Sequence, residues 1–209
     1  HRPVRPITRY SPNRISFAQD SRYVNTTSDT ISFVSPHGFS NAEQVGYYVY
    51  NSSSAIVPLS DGATYFVKVI DQTTISLHPS AVDAINNTNK VNFTAAGQGN
   101  GVFVKNPFNQ STAINLTTNV ITMPTAHGFK TGDGVIYNAA TIPTATPILV
   151  KETLYFVRVI TPTTLTLHTT KRGAILNTDM IDFTSINGSS WATLADIPAL
   201  LYKTSLTPI

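Results

Sequence analysis

Five histidines carry most of the near-neutral acid–base capacity of this 209-residue chain, and four of them form two pairs. His37 and His127 are 90 residues apart (127 − 37), as are His78 and His168 (168 − 78). An imidazole that titrates near neutrality suits proton transfer or metal ligation, but neither works alone. A metal site needs three or four ligands of suitable type, and the acid repeated near these rings is only Glu43, with Asp133. The other acids are scattered singly. No nucleophile elbow, phosphate loop or close carboxylate pair accompanies them. The expectation is therefore a protein that is not an enzyme, with no catalytic residue, no metal ligand and no cofactor. On this reading His37 and His127 are hydrogen-bonded turn residues, and His78 and His168 are outward-facing residues at strand ends.

The histidine spacing belongs to a longer pattern. Tyr65-Phe66-Val67-Lys68-Val69-Ile70 returns as Tyr155-Phe156-Val157-Arg158-Val159-Ile160, again 90 residues on (155 − 65). Thr74-Ile75-Ser76-Leu77-His78 returns as Thr164-Leu165-Thr166-Leu167-His168, and Val91-Asn92-Phe93-Thr94 as Ile181-Asp182-Phe183-Thr184. A period kept without a gap over several blocks marks a tandem duplication. Within each copy the apolar residues alternate, as at Ile31 and Phe33, Val45, Tyr47 and Val49, and Val67 and Val69. Runs of 4–7 residues separated by Gly, Pro, Asn and Asp read as short antiparallel strands. Strands are expected near 30–34, 45–50, 64–70, 74–78, 90–94 and 101–104, with a helical turn at 81–85. The fold class is thus all-β: two tandem small antiparallel β-barrel or sandwich domains with extended terminal arms. The expected division is an Arg/Pro-rich arm at 1–28, a first β domain at 29–104, a linker at 105–118, a second β domain at 119–194 and a tail at 195–209. By the 90-residue offset Trp191 aligns with Gly101.

Charged residues make up 12% of the chain, and Thr, Asn and Ser fill the polar surface instead. The net charge of +3 is concentrated in residues 1–22, where Arg2, Arg5, Arg9, Arg14 and Arg22 face Asp20 alone; the remainder sums to −1. Neither copy is therefore a basic platform for nucleic acid. Pro3, Pro6 and Pro12 favour extended backbone, so the stretch reads either as a solvated linker or as a strap whose Arg2, Arg5, Arg9 and Arg14 dock on carboxylates of a neighbouring subunit. Tyr48 and Tyr50 sit on the strand face opposite Val45 and Val49. With Trp191 they are the candidate contact surface, for another protein or for sugar rings, unless that face is itself packed. The chain contains no cysteine, so disulfides and thiolate chemistry are excluded. No apolar run approaches the ~18 residues of a membrane span. The Asn-x-Ser/Thr triplets, such as Asn25, Asn92 and Asn115, are what an Asn/Thr-rich composition yields by chance. The chain opens on His1 and not on Met, which suits a fragment or processed product.

One string carries a resemblance. His127-Gly128-Phe129, Gly132-Asp133, Val135, Tyr137, Leu149, Tyr155 to Ile160 and Thr164 to Leu167 together resemble a repeat of tailed-bacteriophage virion structural proteins, found in tail fibres and baseplates and in large bacterial surface proteins. The resemblance covers residues 29–194 and not the arm. It implies a structural component of a virion, an extracellular particle assembled in the host cytoplasm. It further implies a spacer or docking module between subunits in a homo- or hetero-oligomer; from the charge distribution and the short apolar runs, neither nucleic acid nor membrane is expected as a partner. The alternative it allows is a carbohydrate-binding adhesin module for a host-surface glycan. Copy one departs at Ala42-Glu43, where copy two has Gly132-Asp133, which leaves the turn chemistry of copy one open.

Overall fold

A computed structural model describes residues 13–50, 53–188 and 190–197. In chain order the first half contains β1 (Arg14–Ala18), β2 (Val24–Asn25), β3 (Thr30–Ser32), β4 (Gln44–Val49), β5 (Thr64–Asp71), β6 (Thr74–His78), α1 (Ala81–Asn86) and β7 (Asn100–Lys105). The second half contains β8 (Phe108–Asn109), α2 (Gln110–Ala113), β9 (Ile121–Thr122), β10 (Gly134–Ala139), β11 (Thr144–Thr146), β12 (Leu154–Thr161), β13 (Thr164–His168), α3 (Lys171–Leu176), β14 (Asp182–Ser185) and β15 (Trp191–Asp196). Among the described residues the chain is all-β, with three short helices and antiparallel strand pairing. Among the described residues no helix is long and apolar enough to cross a membrane.

The first sheet runs β1-β7-β4-β5-β6-β3-β2. Its two edge strands are consecutive in sequence and are joined by a turn in which Tyr23 and Val24 donate their N–H groups to Asp20 O. The sheet thereby curls into a nearly closed barrel, which leaves little open edge. The second sheet runs β8-β15-β10-β12-β13-β9, with β11-β14 as a separate pair. Period-two patterning explains both cores. Val45, Tyr47, Val67, Ile75 and Leu77 point into one cluster; Val135, Tyr137, Val157, Leu165 and Leu167 point into the other.

Register locates where the copies slip. Val45 pairs with Lys105, while Val135 pairs with Asp196. The offset is 90 in the central strands but 91 in the last one (196 − 105). Trp191 therefore corresponds to Asn100 and not to Gly101; an extra residue in the preceding loop shifts the match. A second 91-residue offset joins Phe17 and Gln19 to Phe108 and Gln110. Strand β1 and the β2 edge thus lie in the stretch read as arm, and β8 and α2 in the stretch read as linker. Residues 90–94, read as a strand, form none in copy one, whereas β14 occupies the equivalent place in copy two.

Candidate functional site

Two histidine corners, one in each copy, concentrate the polar chemistry of the chain. In copy one His78 ends β6, and α1 packs on the outer face of β5 and β6. That helix starts at Ser80, whose hydroxyl accepts from Asp83 N at 3.1 Å, and ends at Asn87 in the left-handed region. The lid it forms leaves His78 and Ser76 buried, at 0% and 1% exposure. His78 Nε2 lies 3.0 Å from Ser76 Oγ, and Nδ1 lies 2.7 Å from Thr88 O. A carbonyl only accepts, so Nδ1 carries the proton and Nε2 accepts from the serine hydroxyl. His168 repeats this with Thr166 Oγ1 at 3.0 Å and Thr178 O at 2.6 Å. The outward-facing reading of His78 and His168 is thus corrected: a helix covers the sheet face that alternation left free.

Serine, histidine and a nearby aspartate have the composition of a nucleophilic triad, but the geometry gives them another task. The histidine proton goes to a backbone carbonyl, the serine oxygen is sealed from substrate, and copy two has threonine in its place. The ring acts as a strut that fixes the loop after the helix to the strand beneath it.

The carboxylate in this corner comes from different places in the two copies. Asp83 Oδ1 accepts from Thr88 Oγ1 at 2.8 Å and from Asn89 Nδ2 at 2.7 Å, and its Oδ2 accepts from Ser80 Oγ at 2.6 Å. These bonds hold its carboxyl below the usual carboxylate range, the Ser80 bond contributing most. In copy two the positions of Asp83 and Asn89 are Gly173 and Asp179. Asp179 Oδ2 accepts from Thr169 and Thr170 at 2.8 and 2.6 Å. Burial pushes its carboxyl up, but the Thr170 and Thr169 bonds and the neighbouring His168 outweigh it and leave it lowered. A Cβ on Gly173 would lie 1.6 Å from Asp179 Oδ1, so the glycine makes room for the displaced carboxylate. Gly173→Asp is expected to destabilise the protein by about 2–3 kcal/mol through overpacking. The double variant Gly173→Asp/Asp179→Asn, which rebuilds the arrangement of copy one, is expected to recover most of that in a thermal melt.

The His-Gly-Phe turns behave as expected. His37 Nδ1 accepts from Phe39 N at 2.9 Å, and Nε2 donates to Asp71 O at 2.8 Å. His127 does the same with Phe129 N and Thr161 O, each at 3.0 Å. The intervening Gly38 and Gly128 have φ of +68° and +70°, which a side chain would strain. The turn chemistry left open in copy one proves equivalent. Glu43 Oε2 accepts from Ser40 N at 2.8 Å, as Asp133 Oδ2 does from Lys130 N at 2.8 Å. Ala42 takes the positive φ of Gly132. Among the described residues no three His, Asp or Glu side chains converge on a place for an ion.

Two buried glutamines escaped the sequence reading. Tyr47 Oη donates to Gln19 Oε1, and Gln19 Nε2 donates to Ser54 O and Gln98 O at 2.7 and 3.0 Å. Tyr137 Oη donates to Gln110 Oε1 at 2.5 Å, and Gln110 Nε2 donates to Thr141 O at 3.0 Å and to Ser190 Oγ. Each glutamine ties the core tyrosine to the loops that close one end of the sheet. The available signal was the Phe-x-Gln string recurring at a spacing of 91 instead of 90.

The candidate contact residues divide. Arg2, Arg5 and Arg9 lie outside the described residues. Tyr48 is fully buried and not an exposed platform: the second sheet covers it, so an alternating strand is buried on both faces. Its hydroxyl donates to Asn138 O at 3.3 Å and accepts from Thr193 Oγ1 at 3.0 Å. Tyr48, Val102, Val104 and Ala195 form a small apolar seam between the sheets, flanked by Tyr50 and Ile136. Asn13 ties into it, donating to Leu194 O at 2.6 Å and accepting from Asp196 N at 3.0 Å. Tyr50 is half-buried beneath the Arg14 guanidinium, 5.8 Å from the ring centre. Its hydroxyl, both amide atoms of Asn138 and Arg14 Nε are buried without hydrogen-bond partners. The Asn138 amide is close enough to Tyr50 to oppose the effect of burial on it, though not at bonding geometry. Trp191, half-buried, pairs with Asn109 at the far end of β15. The structure thus brings Tyr48, Tyr50 and Arg14 towards one seam and leaves Trp191 apart.

Burial raises Tyr47 and Tyr137 in the cores and Tyr48 and Tyr50 at the seam. Tyr47 and Tyr50 are each pushed up to about 12, and Tyr48 and Tyr137 further. A phenol with a folded pKa above its unfolded value of about 10 contributes stability that is complete below pH ~10 and disappears as pH rises through the folded value. A spectrophotometric titration is therefore expected to show these phenols ionising late, with unfolding.

No known protein family, no curated protein and no solved structure matches the chain.

Proposed function

We propose that this chain is a structural component of a bacteriophage virion, in a tail fibre or baseplate. Its two tandem β domains serve there as a spacer and docking module between subunits. The observation that carries the reading is how its polar side chains are used. His37 and His127 and His78 and His168 make matching bonds to their own copy's backbone, and Gln19 and Gln110 each accept from their own copy's core tyrosine, Tyr47 and Tyr137. Residues kept in both copies maintain a shape, which is what a building element needs. The sequence resemblance supports the virion assignment, and the arginines between prolines at the N-terminal end suit docking on a neighbouring subunit. On this reading the domains run from Arg14 to Lys105 and from Phe108 to Asp196, as the strands suggest. The glycan-binding alternative loses Tyr48 as a stacking platform, because its ring is sealed. The test is gradient sedimentation of purified particles followed by detection of this chain. Recovery in tail or baseplate fractions is the expected result; recovery only as a free monomer would contradict the proposal.

A further inference from the structure

The contacts across the seam join matching positions of the two copies. Tyr48 Oη meets the backbone of Asn138, and the two positions are equivalent (138 − 48 = 90). Asp61 pairs with Lys151 at 2.9 Å, again a position meeting its own equivalent (151 − 61 = 90). The off-centre contacts come in reciprocal pairs. A Cβ on Gly62 would touch Ala140; the equivalents of those positions are Glu152 and Tyr50, and the Glu152 charge acts on the Tyr50 hydroxyl. A Cβ on Gly46 would reach Thr193 Cγ2 at 3.0 Å; the equivalents are Ile136 and Val102, which share the apolar seam. Strands β7 and β15, themselves equivalent, lie against each other.

A surface on which positions meet their own equivalents, with off-centre contacts such as Gly46–Thr193 echoed in exchanged order, is the signature of a two-fold axis. A head-to-tail stack of repeats would bring different positions together. Resting on the tandem-domain reading above, we propose that the two copies are related by an internal two-fold axis through the Tyr48–Asn138 and Asp61–Lys151 pairs. The chain is then a fused dimer, and the face around Tyr48 is an interaction surface whose partner is the other copy of the same domain. The on-axis positions have diverged in a way that favours this pairing. Two identical copies would set Asp against Asp or Lys against Lys at position 61/151, whereas the chain sets Asp61 against Lys151. Opposite charges where like would meet like select the partner within the chain over a second molecule.

Spin-label distances test this in the full chain, which contains no native cysteine. Ile70, Ile85, Ile160 and Ile175 are each about half exposed, at 51, 58, 52 and 53%, and occupy equivalent places in the two copies. A two-fold axis requires the Ile70→Cys/Ile175→Cys distance to equal the Ile85→Cys/Ile160→Cys distance. Equal distances are expected; distances that differ by more than the label's own spread would overturn the axis. The pairs Ile70→Cys/Ile85→Cys and Ile160→Cys/Ile175→Cys separate the two readings. If these within-copy distances differ from each other, the tandem-domain reading fails and the axis with it. If they agree while the cross-copy distances do not, only the axis fails.

Discussion

Phe103→Ala is expected to lower stability by about 3–5 kcal/mol, the usual cost of emptying a large aromatic site. Phe103 is fully buried. Its ring stacks on Phe17 at 5.0 Å and meets Phe39 edge-on at 6.0 Å, with Phe33 and Tyr47 at 6.4 and 5.7 Å. Rings packed from several sides leave little that can collapse into the space. The equivalent residue in copy two is Leu194, in a cluster with fewer aromatic rings, so the loss falls on copy one. The single tryptophan, Trp191, lies in the second sheet. In urea titrations of the variant, far-ultraviolet circular dichroism is expected to begin falling before Trp191 fluorescence changes. Coincident transitions with a loss below about 1 kcal/mol would contradict separate cores.

Gln19→Leu is the second large effect, expected at about 2–3 kcal/mol. Leucine leaves the Tyr47 hydroxyl in the core without its acceptor, and a buried unpaired donor bears the full cost of lost hydration. The Ser54 and Gln98 carbonyls lose one donor each but keep their backbone partners, so the tyrosine accounts for most of the effect. For a chain of this length the melting temperature is expected to fall by roughly 4–12 °C. Adding Tyr47→Phe removes the stranded hydroxyl, so the double variant is expected to be less unstable than the sum of the single ones. Strict additivity in differential scanning calorimetry would contradict a direct Gln19–Tyr47 bond.

The strands were legible because alternation and duplication report the same thing twice. Where Ile75 becomes Leu165 or Val91 becomes Ile181, apolar character survives and an inward face is marked. The sequence was silent wherever a residue is buried on a face that alternation assigns to solvent. His78 and Ser76 are covered by α1, and Tyr48 by the other sheet; both covers are tertiary and leave no period in the strand itself. The chain from Arg14 to Asn25 read as an arm because arginines and a nearby proline outweighed the single Phe-x-Gln string that places it in the barrel. The Gly173/Asp179 exchange was equally hidden, because each position taken alone reads as free divergence in a loop. Only the shared space between the two side chains reveals that one carboxylate has moved from the helix to the loop after it.

The central claim, that the repeated residues hold one shape twice, is tested most directly by long-range nitrogen–proton correlation spectra of the four paired histidines at neutral pH. His37 and His127 are expected as Nε2–H tautomers, each accepting a backbone N–H at Nδ1. His78 and His168 are expected as Nδ1–H tautomers whose ring protons exchange slowly with water. The two members of each pair should agree. Different tautomers within a pair, or fast exchange at His78 or His168, would contradict the account.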